Sequence, residues 1–205
     1  MYLSEHIDIF DENYNLKGKA TREKAHQMGL WHHTFHCWII IKMEGKRYLL
    51  FQRRHPNKET FPNLLDISAA GHLLTGEEVQ DGVREVKEEL GLSIQYRDLH
   101  PVGVIKEKMT SRSLLDNEHC NVFLYLSNQS LGEFQLQEDE VSGLLKIEID
   151  DVKALIKGKR EKVKANGFEM KSGFRKGVNL SIAREHLVPH KQDYYIKVCE
   201  VAMSI

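Results

Sequence analysis

Residues 71–92 read GHLLTGEEVQDGVREVKEELGL, and the reading of this stretch decides both the fold and the chemistry of the chain. Glu85, Glu88 and Glu89 fall at i, i+3 and i+4, so a helix gathers them on one face, across an arc of roughly 100°. Val79, Val83, Val86 and Leu90 recur at i, i+4, i+7 and i+11, an apolar stripe on the other side that requires a core. The spacing predicts a helix docked along one edge and presenting carboxylates along the other. Thr75 and Glu78 have capping-box spacing at its start, and Gly91 supplies a left-handed stop after Leu90. Like charges at this spacing cost an isolated helix roughly 0.2–0.5 kcal/mol per pair. A hard divalent cation converts that repulsion into a ligand set, because such ions prefer carboxylate oxygen. Arg84, beside Glu85, can hold a carboxylate in place through a bidentate pair. A solvated acidic face would account for three glutamates alone, but not for the glycine, the arginine and the caps around them.

Taken together, Gly71, Glu77 and the run from Arg84 to Leu92 resemble the Nudix box, Gly-x5-Glu-x7-Arg-Glu-U-x-Glu-Glu-x-Gly-U, in which U is apolar. The C-terminal half matches throughout. One departure stands out: six residues, not seven, separate Glu77 from Arg84. A shortening at the loop-to-helix junction leaves the glutamate face intact, and Glu77 is the position it would displace. The resemblance implies an α/β fold, a Nudix-type α/β/α sandwich with a mixed sheet. It also implies Mg²⁺ or Mn²⁺ as cofactor, with Glu85, Glu88 and Glu89 as its ligands.

At 205 residues the chain suits one domain with length enough to bury a core. A formal net charge of −1 and a pI near 6.8 provide no field to draw it to nucleic acid or membrane, and neither is expected as a partner. Cys37, Cys120 and Cys199 form no CxxC pair, which fits a reducing cytoplasm rather than a disulfide framework. The N-terminal MYLSEHIDIFDENYNLKG lacks the basic start and apolar run of a signal peptide. No apolar run approaches the length of a membrane span.

Period-two and β-branched stretches predict strands at 6–10, 35–43, 47–54, 64–70, 121–126 and 144–149. Helices are expected at 21–28, capped by Thr21 and stopped by Gly29, at 150–158, and at 192–203. From Lys159 the chain turns basic and glycine-punctuated, which reads as a surface connection. The expected organisation is a Nudix domain over 1–158, with an extension over 159–205 packed on it. The terminal helix is free in this reading to cover the substrate site or to form a homodimer contact.

A second constellation lies outside the box helix. His26, His32, His33 and His36 crowd one stretch, His72 follows Gly71, and Asp116 and Glu118 alternate, which in a strand aims both the same way. Such donors suit a transition metal. They resemble one Nudix branch, isopentenyl-diphosphate isomerase, over roughly residues 5–155. Ala25-His26 and Trp31-His32-His33 are similar to its Ala-His and Leu-His. Arg54, Lys58, Phe61 and Pro62 are similar to its Arg-x3-Lys-x-x-Phe/Trp-Pro, and Asp116-x-Glu118 to its Glu-x-Glu. The resemblance implies a second metal held among His26, His32, His33, Asp116 and Glu118, and substrate binding by Arg54, Lys58 and His72. A guanidinium and an ammonium are chemically suited to phosphate oxygens. Where the isomerase carries its proton-transferring cysteine before Gly-His, this chain has Ala70, and a methyl group exchanges no proton with carbon.

The expected activity is therefore hydrolysis of a small-molecule diphosphate, a nucleoside diphosphate derivative or a related metabolite. A water, held by the cation or oriented by a carboxylate, attacks phosphorus, and Glu88, Glu89, Glu118 and Glu140 are the candidate bases. Two readings compete with it: an isopentenyl-diphosphate isomerase, and a non-catalytic binder of a diphosphate metabolite.

Overall fold

The computed structural model describes residues 5–111 and 114–205; residues 1–4 of the N-terminal stretch lie outside it. In chain order the strands are β1 (His6–Phe10), β2 (Leu16–Thr21), β3 (Trp31–Met43), β4 (Lys46–Arg54), β5 (Leu65–Asp66), β6 (Ala69–His72), β7 (His100–Ser111), β8 (Leu114–Ser127), β9 (Val141–Glu148), β10 (Lys162–Lys171) and β11 (Phe174–Ala183). The helices are α1 (Arg22–Met28), α2 (Val83–Leu90), α3 (Ile149–Ile156) and α4 (Gln192–Ser204).

β3 organises the rest. Its sequence WHHTFHCWIIIKM is apolar at nearly every position from Phe35, so both of its faces need cover. Successive side chains alternate. Phe35, Cys37, Ile39 and Ile41 join one apolar cluster, to which α2 adds Val86 and Leu90. Trp38 and Ile40 join the other, closed by Val152 and Leu155 of α3 and by Tyr194, Tyr195 and Val198 of α4. Helices on both faces of one sheet make the α/β/α sandwich. The sheet is mixed: β3 runs parallel to β8 and antiparallel to β4, β6 and β1.

Several elements differ from expectation for identifiable reasons. The stretch 64–70 is two short strands, β5 on β4 and β6 on β3. Ser68 sits between them, its Oγ accepting from Ile39 N–H at 2.8 Å and donating to Leu50 carbonyl oxygen, so a hydroxyl replaces the broken ladder. The basic stretch after Lys159 is not a surface connection but the hairpin β10–β11, which extends the sheet beyond β9. Lysines at Lys162 and Lys164 mask its period, while Val163 and Ala165 point to the core. Ser172 and Gly173, at φ 50° and 78°, make the tight turn.

The box helix is also shorter than its apolar stripe suggests. Val79–Gly82 form a 3₁₀ turn before α2, and the capping box is Glu78 with Asp81, not Thr75 with Glu78. The tighter turn absorbs the missing residue. Gly91 ends α2 as expected, at φ 67° with its N–H on Lys87 carbonyl oxygen. Gly82 packs directly on Phe35, and a Cβ there would collide with the ring. Gly82→Ala should therefore lower stability by about 1–3 kcal/mol through overpacking, although alanine favours helix, as urea unfolding would show.

Candidate active site

Arg84 ties the box together. Its Nε donates to Glu77 Oε1 at 2.8 Å, and one terminal nitrogen reaches Glu77 Oε2 at 3.1 Å and His72 carbonyl oxygen at 2.9 Å. The other terminal nitrogen contacts Glu85 closely and Glu88 at 3.5 Å. Glu77 thus meets Arg84 through two oxygens despite the shortened spacing, and that guanidinium holds its carboxyl below the usual range. Gly71 is required by Glu85: a Cβ at Gly71 would occupy the space of the Glu85 carboxyl group.

The three box glutamates sit at graded depths. Glu88 is exposed, Glu85 is half-buried, and Glu89 is 7% exposed, its Oε2 accepting from Gln52 Nε2 at 3.2 Å and Ala70 N–H at 3.1 Å. Burial, reinforced by the charge of Glu85, pushes the Glu89 carboxyl up to about 8. Burial also raises Glu85. Carboxylates withdrawn from water beside one another call for a countercharge, and oxygen donors of this kind suit Mg²⁺ or Mn²⁺.

All three line one cavity of about 560 Å³ together with Arg54, Lys58, His26, His72, Asp116, Glu118 and Glu140. Arg54 is oriented by three bonds: Nε to Thr60 carbonyl oxygen at 2.9 Å, one terminal nitrogen to Thr60 Oγ1 at 2.9 Å, and the other to Asp66 Oδ2 at 2.8 Å. Lys58 forms an ion pair with Glu140 on the cavity wall.

The histidines divide by strand parity. His32 and His36 lie on one face of β3, and the parallel register sets His32 opposite Glu118 on β8. His26 from α1 and His72 from β6 complete the group, their Nε2 atoms 3.1 Å apart. Ligand atoms of His26, His32 and His72 lie within 4.8 Å of one another, as do those of His32, Asp116 and Glu118. His33 does not belong. One residue further along β3, it faces the opposite way and stacks on Phe10 at 3.7 Å between ring centroids, so the period of two removes it from the set. His72 lines the cavity and belongs to this cluster as well.

The cluster holds buried polar atoms that no hydrogen bond satisfies. His32 Nδ1 donates to Leu30 carbonyl oxygen at 2.9 Å, which turns Nε2 inward. There it lies 3.4 Å from Asp116 Oδ1, yet both atoms are buried without a hydrogen bond. Burial pushes His26 and His72 down and Glu118 up, and Asp116 raises Glu118 further. Such donors suit a transition cation.

Sequence reasoning missed Gln52, Thr34, Asp66 and His190, and it named His36 in the histidine stretch without placing it in the ligand set. Polar residues at Gln52 and Asp66 inside otherwise apolar strands were the available signal. His190 had none, since its partners lie far away in the chain.

A family model described as NUDIX domain matches residues 31–166. The chain is 42% identical over 202 residues to an uncharacterized Nudix hydrolase of Clostridium acetobutylicum, covering 98% of each. It is 31% identical over 141 residues to the uncharacterized Nudix hydrolase YfcD of Escherichia coli, 68% of this chain and 71% of that one. A solved structure from Deinococcus radiodurans shares the fold at a TM-score of 0.57 and 21% identity, covering 75% of this chain and 90% of that chain. The chain belongs to the Nudix family and is a hydrolase acting on diphosphate linkages, a class that generally needs divalent metal ions. Among the described residues no helix is long and apolar enough to cross a membrane.

The buried carboxyl of Glu89 has a thermodynamic signature. In the fold it keeps its proton up to about 8, whereas in the unfolded chain it loses it near ~4.3. Between those values the native state binds more protons, so stability falls as pH rises. In EDTA, denaturant unfolding at pH 5 to 8 should show a decline of a few kcal/mol from this group, and Glu89→Gln should flatten it. An unchanged slope in the variant would contradict the assignment.

Proposed function

We propose that the chain is a Mg²⁺- or Mn²⁺-dependent pyrophosphohydrolase of the isomerase-like Nudix branch, cleaving a nucleoside diphosphate derivative or a related diphosphate metabolite. The observation that carries this reading is the meeting of the box carboxylates Glu85, Glu88 and Glu89 with Arg54 and Lys58 in one cavity. When bound by those carboxylates, the cation neutralises charge developing on the diphosphate oxygens. Arg54 uses three of its five N–H groups to hold its own position and keeps the others for phosphate oxygen. Lys58 is shared: an incoming diphosphate competes with Glu140 for the ammonium group. Displacing that ion pair leaves an ionised carboxylate on the cavity wall, able to take the proton of the attacking water. Glu140 is for that reason the preferred base. Burial pushes the carboxyls of Glu89 and Glu118 up to about 8, so without a cation both already carry a proton at neutral pH and cannot take the water's, and Glu88 is committed in part to Arg84.

Ala70 supports hydrolysis over isomerisation. Its side chain has no proton to exchange, and its backbone N–H is used to orient Glu89. A second cation at His26, His32, His72, Asp116 and Glu118 is supported by the unpaired Nε2 of His32 and Oδ1 of Asp116.

Phosphate release across a panel of nucleotide sugars, dinucleoside polyphosphates and isoprenoid diphosphates, with Mg²⁺ and then Mn²⁺, tests the reading. Glu89→Gln should reduce turnover by at least about a hundredfold while keeping a cooperative melt. Near-normal activity in that variant would sink the proposal, as would conversion of isopentenyl diphosphate to its dimethylallyl isomer without phosphate release. For the second cation, Mn²⁺ binding by electron paramagnetic resonance should fall from about two ions per chain to about one in Asp116→Asn.

A further inference from the structure

The C-terminal segment reaches the floor of the cavity through Val188 and His190, the latter 3% exposed and just before α4. Its Nε2 faces Asp66 Oδ1 at 3.1 Å, and its Nδ1 contacts Glu107 Oε2 closely. A carboxylate on each ring nitrogen is satisfied only by the doubly protonated imidazolium. Burial opposes that charge, but Asp66 and Glu107 outweigh it and raise the ring to about 9. The remaining oxygen of Asp66, Oδ2, accepts from Arg54 at 2.8 Å, while Oδ1 also accepts the Ile67 N–H at 2.8 Å. Glu107 is held on its far side by the Lys191 N–H at 3.1 Å. The group is therefore a closed chain, Glu107–His190–Asp66–Arg54, with two negative and two positive members.

Removing one cation from this chain changes the demand on the other. Without His190, Asp66 Oδ1 would keep only the Ile67 N–H and Arg54 would be the one charged partner of Asp66, so the guanidinium would be drawn from the cavity to meet both Asp66 oxygens. We infer that His190 is a positioning residue: by pairing with Asp66 Oδ1 it keeps Arg54 aimed into the cavity. The C-terminal segment, which lies largely beyond the residues 31–166 matched by the family model, thereby completes the phosphate subsite. This rests on the reading of Arg54 as a phosphate contact.

The test uses the full chain and has two readouts, only one of which depends on phosphate binding. The Arg54 Nε–H signal, identified by its loss in Arg54→Lys, is followed by ¹⁵N solvent-exchange spectroscopy in the free protein. Its hydrogen bond to Thr60 should slow exchange in the wild type, and protection should drop about tenfold in His190→Gln. That variant strands two buried carboxylates. A second variant, His190→Gln with Glu107→Gln, therefore replaces the far charge by an amide that the fold tolerates, and should show the same loss. Binding of methylenediphosphonate with Mg²⁺, read by calorimetry, should weaken about tenfold in both variants, equivalent to one ordinary hydrogen bond. It should weaken little further when His190→Gln is added to Arg54→Lys. Unchanged Arg54 protection in the double variant overturns the inference, and so does a loss of affinity of equal size in the Arg54→Lys background. If the wild type binds no diphosphonate while the Arg54 signal responds as described, Arg54 is positioned by His190 and its phosphate role falls instead.

Discussion

A strand covered on both faces cannot share its side chains between them, and β3 shows how much follows from that. Odd positions from Phe35 to Ile41 pack under α2, while Trp38 and Ile40 pack under α3 and α4. The same parity, carried back to the start of the strand, puts His32 and His36 on the side where Glu118 and Cys120 of β8 lie, and turns His33 away to stack on Phe10. Core and site are thus two stretches of one alternation. Where the neighbours are aliphatic it makes a hydrophobic interior, and where they are His and carboxylate it makes a cation-seeking cluster. A slip of one residue in the β3–β8 register would exchange the two faces and abolish both.

Around this frame the cavity gathers more carboxylates than cations. The imbalance is handled differently at each point. Arg84 neutralises Glu77 and leans on Glu85; Lys58 covers Glu140; His190 and Arg54 settle Glu107 and Asp66. Glu89 has only neutral donors, Gln52 and the Ala70 N–H, and its answer is a proton. In the proposed reaction a divalent ion would take the place of that proton.

The box helix could be read from its local pattern because everything it needs lies within one stretch: the glutamate face, the apolar stripe and the Gly91 stop. The shortened spacing before Arg84 was legible as well, but its consequence was not, because a 3₁₀ turn is a response to packing against Phe35 rather than a preference of the residues in it. Asp116 and Glu118 were readable as a pair by alternation. The histidine set was read with one wrong member, since β3 begins at Trp31 and not at Phe35, so parity was not applied to His32 and His33. The β10–β11 hairpin was hidden because its outward lysines resemble a solvated basic run, and only the partner strand β9 shows which residues turn inward.

The ion pair between Asp66 and His190 also has a bearing on the order in which the molecule comes into being, because the two residues are 124 positions apart. Closing so long a span costs entropy that no local contact repays. During synthesis Asp66, Glu107 and Arg54 all emerge before the histidine that balances them. The layer under α2 can condense on β3 early, yet the charged floor of the cavity stays uncompensated until His190 has emerged. A chain interrupted before residue 190 would lack together the histidine that balances the floor and the α4 side chains Tyr194, Tyr195 and Val198 that close the second layer, so one segment completes both cavity and core.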